Sequence, residues 1–319
     1  IFKNDIVTGV DAEVNALPGL KLGAGVTQYK QKEATTSYLA YNHRNIYSGR
    51  GSFLNNLLSI STEYAEIRYE HNVPKTHRGH AFYNSNSLFL DKITLNIGYK
   101  KYYSFNYNMS DLPALNHYDQ LLSSIANIKT EEGLSGDISY SPNFSNEINM
   151  HYSEAWNENF KIRFANAFAE YKYNADDYGI QAEYEQIETK NQPANSWEKE
   201  MHPGVTFDFY SFAFPLTVKG KWGVKQQTHG EDEITLQQPF IQADIKLNDL
   251  FAFSIISEFE FNDDKSETWV GGELKTNIGD HSELKIFAGK EKGGKVCRNG
   301  VCKYQTPFEG IRLELSTNF

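Results

Sequence analysis

Apolar and polar residues alternate without interruption through the last ten positions of the chain. Ile311, Leu313, Leu315, Thr317 and Phe319 fall on one face of an extended strand, and polar residues occupy the positions between them. A period of two predicts a β-strand with one apolar and one polar face. A terminal Phe contributes little to a soluble protein, whose C-terminus frays. The pattern is typical of a strand that separates lipid from water.

The same alternation recurs along nearly the whole chain, for example over residues 93–99, 241–247 and 270–278. It predicts an all-β fold, an antiparallel transmembrane β-barrel of about 14 to 16 strands spanning residues 1–319. The polar positions carry both signs of charge, which water inside a barrel can solvate. A soluble sandwich can also solvate them, on its outer face, so the alternation alone leaves both folds open. The expected lumen-lining residues are Glu183, Glu185, Lys219, Lys221, Glu258 and Glu260.

The connectors favour the barrel. Residues 90–92 and 247–250 are tight turns, whereas 189–201, 227–233 and 291–304 are longer and polar. From about residue 140 onward, short and long connectors alternate, as they do between the two rims of a membrane barrel.

One segment interrupts the strand pattern. Residues 105–131 include a stretch in which Asn116 is placed to cap a short helix carrying Tyr118, Leu121, Leu122 and Ile125. A connector of this length is often functional. We expect a lumen constriction or a lid over the mouth, and an ordered surface loop without a gating role is the alternative.

Composition excludes several classes of protein. The chain has 319 residues and a mean hydropathy of −0.57, and no run reaches the roughly 20 apolar residues that a helical span requires. Aromatic residues make up 14%, including 20 Tyr, as expected where rings lie at a lipid–water boundary. The net charge of −10 argues against nucleic acid as a partner. The chain begins Ile1-Phe2-Lys3-Asn4-Asp5, without the apolar run of a signal peptide, so we expect either that a signal peptide was cleaved or that the chain begins partway into a longer protein.

The two cysteines, Cys297 and Cys302, flank Asn299-Gly300, a strong signal for a two-residue hairpin turn. That turn places Cys297 directly opposite Cys302, close enough to bridge. We expect a disulfide at the tip of an outer hairpin over residues 291–304, and hence an oxidising compartment.

The sequence contains few residues whose spacing indicates catalysis or metal binding. Of nine histidines, only His77 and His80 are closely spaced, and on a strand they point to opposite faces. His151, beside Ser153 and Glu154, is the nearest candidate for a catalytic group. We therefore expect no catalytic, metal or cofactor site and no enzyme, and an outer-membrane hydrolase is the least favoured alternative.

Several motifs together resemble an uncharacterised outer-membrane family of Bacteroidota, described as a domain of unknown function. They are Ile6-Val7-Thr8-Gly9-Val10-Asp11-Ala12-Glu13, Leu112-Pro113-Ala114-Leu115, Glu132-Gly133-Leu134-Ser135-Gly136-Asp137, and Cys297-Arg298-Asn299-Gly300-Val301-Cys302-Lys303 with Pro307, Gly310 and Phe319. The resemblance runs from end to end and implies a barrel in the bacterial outer membrane, with residues 1–319 as the C-terminal part of a larger barrel. It implies no activity.

The chain end is also similar to the last strand of outer-membrane barrels, which implies that Ile311, Leu313, Leu315 and Phe319 form a membrane-insertion signal. The expected partners are outer-membrane lipid, the barrel assembly machinery during insertion, and surface lipoproteins or other envelope proteins. The expected function is a channel or transport component for small solutes. The alternative is an occluded scaffold barrel that docks surface lipoproteins or a larger envelope complex.

Overall fold

The fold consists almost entirely of β-strands. The computed structural model describes residues 6–30, 43–70, 77–105, 130–157, 161–210, 214–230, 232–248, 250–262, 265–278, 282–298 and 301–317. Among these residues, no helix has the length and apolar character needed to cross a bilayer. One 3-10 turn, Gln192–Ala194, lies in the described part of the chain.

The described residues form nineteen strands. The first nine are β1 (Ile6–Leu17), β2 (Leu20–Lys30), β3 (His43–Leu54), β4 (Leu58–Glu70), β5 (His77–Leu90), β6 (Ile93–Tyr103), β7 (Thr130–Asn143), β8 (Asn146–Trp156) and β9 (Ile162–Asn174). The others are β10 (Tyr178–Asn191), β11 (Ser196–Phe209), β12 (Leu216–His229), β13 (Asp232–Lys246), β14 (Phe251–Phe261), β15 (Ser266–Ile278), β16 (Ser282–Glu291), β17 (Gly294–Arg298), β18 (Val301–Gln305) and β19 (Phe308–Thr317).

Seventeen of these strands belong to one sheet, and β17 and β18 form a separate two-stranded hairpin. The predicted all-β antiparallel fold is confirmed, with one strand more than the upper end of the predicted range. Pairing is antiparallel between chain neighbours, as between β1 and β2 and between β12 and β13. β16 pairs with β19 because the hairpin leaves the sheet between them.

The strands fall into two compact units. Unit 1 comprises Ile1–Tyr140, Asn149–Ala167 and Glu188–Ala194. Unit 2 comprises Ser141–Ile148, Phe168–Ile187 and Asn195–Phe319.

In unit 2, the apolar side chains are the exposed ones. Ile241, Ile255 and Val270 are 57%, 48% and 49% exposed, whereas Gln242 and Ser254, on the opposite face, are 6% and 0% exposed. A soluble protein shows the reverse distribution, because burial of apolar surface drives its folding. We call the exposed side the apolar face and the other side the polar face.

Unit 1 has the same two faces. Ile97 is 60% exposed on the apolar face of β6, and Lys100 is fully buried on its polar face. Glu66 and Arg68 have the apolar-face parity of β4. They form an ion pair with 2.7 Å between Arg68 Nε and Glu66 Oε1, and the Arg68 guanidinium lies 5.0 Å from the centre of the Tyr47 ring.

Two predicted long connectors are shorter in the structure. β10 continues to Asn191 and β11 begins at Ser196, and β12 and β13 are separated only by residues 230–231. These strand ends are polar on both faces, so their sequence resembles a loop. The helix predicted within residues 105–131 lies outside the described residues, but β6 ends at Tyr103 and β7 begins at Thr130.

Candidate functional site on the polar face

The polar face of unit 2 carries all six residues predicted to line a lumen. Glu183 of β10 forms ion pairs with Lys221 and Lys219 of β12, the second with 3.7 Å between Nζ and Oε1. These side chains meet across β11, where Gly204 lies between them. A Cβ atom at position 204 would be 3.0 Å from Lys221 Cγ and 3.1 Å from Glu183 Cγ. The glycine therefore leaves the space that the ion pair occupies.

Glu258 and Glu260 of β14 share one cation. Lys292 Nζ lies 3.4 Å from Glu258 Oε1 and 2.8 Å from Glu260 Oε2, and 5.3 Å from the centre of the Trp269 ring. The amide of Gln238 also donates to Glu260, at 2.7 Å. Glu185, the sixth predicted residue, is only 7% exposed on the same face.

Further ion pairs extend this face. Lys225 Nζ lies 2.9 Å from both Glu198 and Glu200, and His202 Nε2 lies 3.1 Å from Glu200. Strand parity places these residues on the polar side, but their position in a polar stretch hid them from the sequence analysis. Oppositely charged side chains thus form ion pairs at several positions along this face.

Arg312 of β19 belongs to this series. Its Nη1 lies 2.7 Å from Glu291 Oε2 and its Nε lies 2.8 Å from Glu314 Oε1. Its guanidinium lies 5.1 Å from the ring centre of Phe287 and 5.0 Å from that of Phe308. Alternation predicts the side of Arg312 and places Phe308 on the same face of β19, whereas Phe287 is a partner only because β16 pairs with β19 and sets Phe287 opposite Arg312.

The polar face of unit 1 is more densely packed. Lys100 forms a buried ion pair with Glu131 and lies 5.7 Å from the centre of the Tyr102 ring. Ile46, Ala65 and the fully buried Ile67 form an apolar cluster on this face. Phe105, the first residue of the predicted 105–131 segment, packs against that cluster.

His151, the one catalytic candidate, faces Asp137 with 2.6 Å between His151 Nδ1 and Asp137 Oδ1. Glu154 lies elsewhere, with its Oε1 2.6 Å from Arg163 Nε. His151 Nε2 and Ser153 Oγ are buried, and among the described residues neither has a hydrogen-bond partner. Since the two atoms do not bond each other, the arrangement lacks the contact that general-base activation of a serine requires.

Two other predicted features fall at the end of the chain. The hairpin register pairs Cys297 with Cys302, and the turn residues 299–300 lie outside the described residues. Ile311, Leu313 and Leu315 lie on the apolar face of β19 and are 74%, 68% and 66% exposed. Phe319 also lies outside the described residues.

Metal ligands are not grouped in this part of the molecule. Among the residues that the structure describes, no three His, Cys, Asp or Glu side chains are arranged to hold a metal ion.

No family model matches the chain, and no curated protein matches it. Similar solved structures include a bacterial polysaccharide outer-membrane secretin, 12% identical over 85% of this chain and 88% of that one, with a TM-score of 0.39. The open form of the ferric-catecholate import receptor of E. coli is 8% identical over 98% of this chain, which spans 61% of the receptor, with a TM-score of 0.48. A mutant ferric enterobactin receptor of Pseudomonas aeruginosa is 8% identical over 99% of this chain and 70% of that one, with a TM-score of 0.37.

The distribution of apolar and charged side chains between the two faces identifies the fold class of the protein. Its long antiparallel strands present an exposed apolar face and a charged, hydrogen-bonded opposite face. In contact with lipid, backbone polar groups must be satisfied within the protein, which a continuous strand ladder achieves. The chain has the fold of a bacterial outer-membrane β-barrel, as its sequence predicts.

Proposed function

We propose that the protein is a channel or transport component through which small solutes cross the outer membrane along the polar face. The observation that carries this proposal is the partial exposure of paired charges on that face. The side chains of Lys219, Lys221 and Lys292 are 32%, 30% and 29% exposed. Such groups contact water, and a water-filled path lined by charges of both signs accommodates polar solutes.

The selectivity of the path would follow from the cations held by Glu183. Replacing Lys219 and Lys221 with Glu places three carboxylates where two cations and one carboxylate now lie, which raises the local cation concentration. In planar bilayers containing the full chain, we expect a stable current whose cation preference increases about threefold or more in the K219E/K221E variant. The matched control is Lys92→Glu, in the tight turn between β5 and β6, which should leave the preference unchanged.

A complete absence of current from correctly folded wild-type protein would contradict the channel proposal. Equal effects of the double variant and of the control would contradict the assignment of this face as the path. Neither result affects the fold, because folding is measured separately by the shift in gel mobility on heating.

A second candidate function rests on the packing in unit 1. There the polar face buries Lys100, Ile67, Tyr102 and Phe164, which are at most 5% exposed. Such packing favours an occluded scaffold that docks surface lipoproteins or a larger envelope complex through its outer connectors. Stoichiometric partners that co-purify with a non-conducting protein would support the scaffold, and purification of a conducting protein alone would exclude it.

The C-terminal strand has the features of a segment that is recognised by another protein during assembly. We propose that Ile311, Leu313, Leu315 and Phe319 are read by the barrel assembly machinery during insertion. Their uniform apolar side, exposed in the described part of β19, supports this role. Outer-membrane lipid would be the second partner, in contact with the apolar face.

A further inference from the structure

A cluster of basic residues lies on the apolar face of unit 1, where lipid contact would otherwise exclude charge. Arg68 of β4 directly opposes Arg78 of β5. Lys101 of β6 lies on the same side, four residues after the exposed Ile97, but it is level with Phe82 and therefore four residues along the strands from Arg78. The cluster proper is the pair Arg68 and Arg78. Charge on this face is costly in hydrocarbon, so the cluster requires an explanation of its own.

The cluster is only partly neutralised by the protein. Arg68 pairs with Glu66, and Lys101 pairs with Glu132 with 3.2 Å between Nζ and Oε2. Arg78 is exposed and has no ion pair among the residues that the structure describes. Glu66 pairs with Arg68 and also interacts electrostatically with Arg78, so two guanidinium groups share one carboxylate. Like charges directly opposite each other across two strands are destabilising, and a second anion between Arg68 and Arg78 would relieve that repulsion.

The depth of the cluster fits the headgroup layer. Tyr64 opposes Phe82, and Phe82 contacts Tyr99 with ring centres 5.9 Å apart, as in the aromatic girdle of a membrane barrel. Arg68 and Arg78 lie four residues beyond this row, about 13 Å along the strand. With a strand tilt of about 40°, they rise about 10 Å above the row, at the water-facing side of the lipid headgroups.

The cluster occupies one end of the strands only. It lies beside the longer connectors 71–76 and 104–129, and further aromatic rings border it, with His80 stacked on Tyr103 at 5.3 Å. At the other end of the same strands, the apolar face carries the opposed pairs Leu58–Leu88 and Leu90–Ile93. Longer connectors mark the outer rim of a membrane barrel, so the cluster faces the outer leaflet.

From this placement, we propose that Arg68 and Arg78 form a binding site for a phosphate group of an outer-leaflet glycolipid. Guanidinium groups bind phosphate in a bidentate manner, and a phosphate between Arg68 and Arg78 relieves their repulsion. The adjacent aromatic row contacts the acyl chains and the sugar edge. The proposal depends on the apolar face contacting lipid, and it does not depend on whether the interior conducts.

The test measures binding of lipid A with two phosphates to the full chain in detergent, by native mass spectrometry. Dephosphorylated lipid A is the second probe. We expect the phosphorylated lipid to bind about tenfold or more tightly, and Arg78→Gln to remove most of that difference, because the variant loses the charge-assisted hydrogen bonds from the Arg78 guanidinium to the phosphate. Arg78→Lys should retain part of the preference, and Lys92→Gln, at the opposite end of these strands, should retain all of it.

Arg78 makes no ion pair within the described structure, so its replacement should leave folding intact, as the mobility shift on heating will show. Equal binding of both lipids, or an unchanged preference in Arg78→Gln, would overturn the proposal. It would also be overturned if millimolar inorganic phosphate displaced the lipid completely, because the site would then bind free anions, or if the variant lost a co-purifying protein and kept the lipid.

Discussion

Single glycines on the polar face determine which charged residues can meet. Arg50 of β3 reaches across β2 to Asp11 of β1, with both guanidinium–carboxylate distances at 2.6 Å. A Cβ atom at Gly23 of β2 would lie 2.7 Å from Arg50 Nε. Gly204 provides the same opening for Glu183 and Lys221. A glycine within a strand pattern signals a close approach of some kind, but the sequence does not identify the residue that approaches.

A larger residue at position 204 should lower the stability of the folded protein. Gly204→Val should place a branched side chain in the space of the Glu183–Lys221 pair and lower the free energy of unfolding by about 1–3 kcal/mol, as overpacking typically does. Gly220→Val is the matched control, because nothing lies within 4 Å of a Cβ atom at Gly220 on the apolar face. Urea unfolding in lipid vesicles measures both variants.

Equal midpoints for the two variants would contradict the assigned position of Gly204 between the charges. A loss in the Gly220 variant alone would indicate that the faces are assigned the wrong way round.

At the scale of elements, alternation predicts the strands that contact lipid on one face and water on the other. β6, β13 and β15 follow it over residues 93–99, 241–246 and 270–278, and the structure exposes Ile97, Ile241 and Val270 in these stretches. β5 does not follow it, because Asn84 and Asn86 have the apolar-face parity. They hydrogen-bond to each other, and Asn84 donates to Thr62 Oγ1 at 2.7 Å. Such mutual satisfaction is visible only once neighbouring strands are paired.

Strand ends beyond the membrane are equally hard to predict from sequence. In the paired ends of β11 and β12, Glu198 opposes Gln227 and Ser196 opposes His229. Both faces there contact water, so neither is apolar and the period of two disappears. The six lumen candidates were found because their strands have one apolar face, whereas Glu198, Glu200 and Lys225 lie where that signal ends.

The hairpin β17–β18 carries a prediction of its own. Since Cys297 directly opposes Cys302, we expect a disulfide between them in protein from the outer membrane. Peptide mapping without reduction should find the two cysteines in one cross-linked species, which reduction then separates. Complete alkylation of both cysteines before any reductant is added would show that the bond is absent.

A change at the end of the last strand should impair insertion of the protein into the outer membrane. Deleting Phe319 should reduce the amount of folded protein in the outer membrane several-fold, because the insertion signal loses its terminal aromatic residue. Asn318→Ala, at the neighbouring position of opposite parity, is the control. Folded protein is measured by its mobility shift on heating, and equal yields from both variants would contradict the proposed role of Phe319.

At the scale of the whole molecule, the two faces have opposite chemistry in each unit. Val270 in unit 2 and Ile97 in unit 1 are about half exposed, while Ser254 and Lys100 are fully buried. The channel, the glycolipid site and the insertion signal all depend on contact between the apolar face and lipid. The scaffold alternative shares that requirement and differs only in whether the interior conducts.

The most direct measurement uses spin labels at four single cysteines in a background lacking Cys297 and Cys302. Ile97 and Val270 report on the apolar face, and Arg50 and Lys219 report on the polar face. In lipid vesicles, the apolar-face labels should collide more with oxygen, which dissolves in lipid, and the polar-face labels more with a water-soluble nickel chelate. If the Ile97 and Val270 labels instead collide mainly with the nickel chelate, the apolar face is in water and the account is wrong.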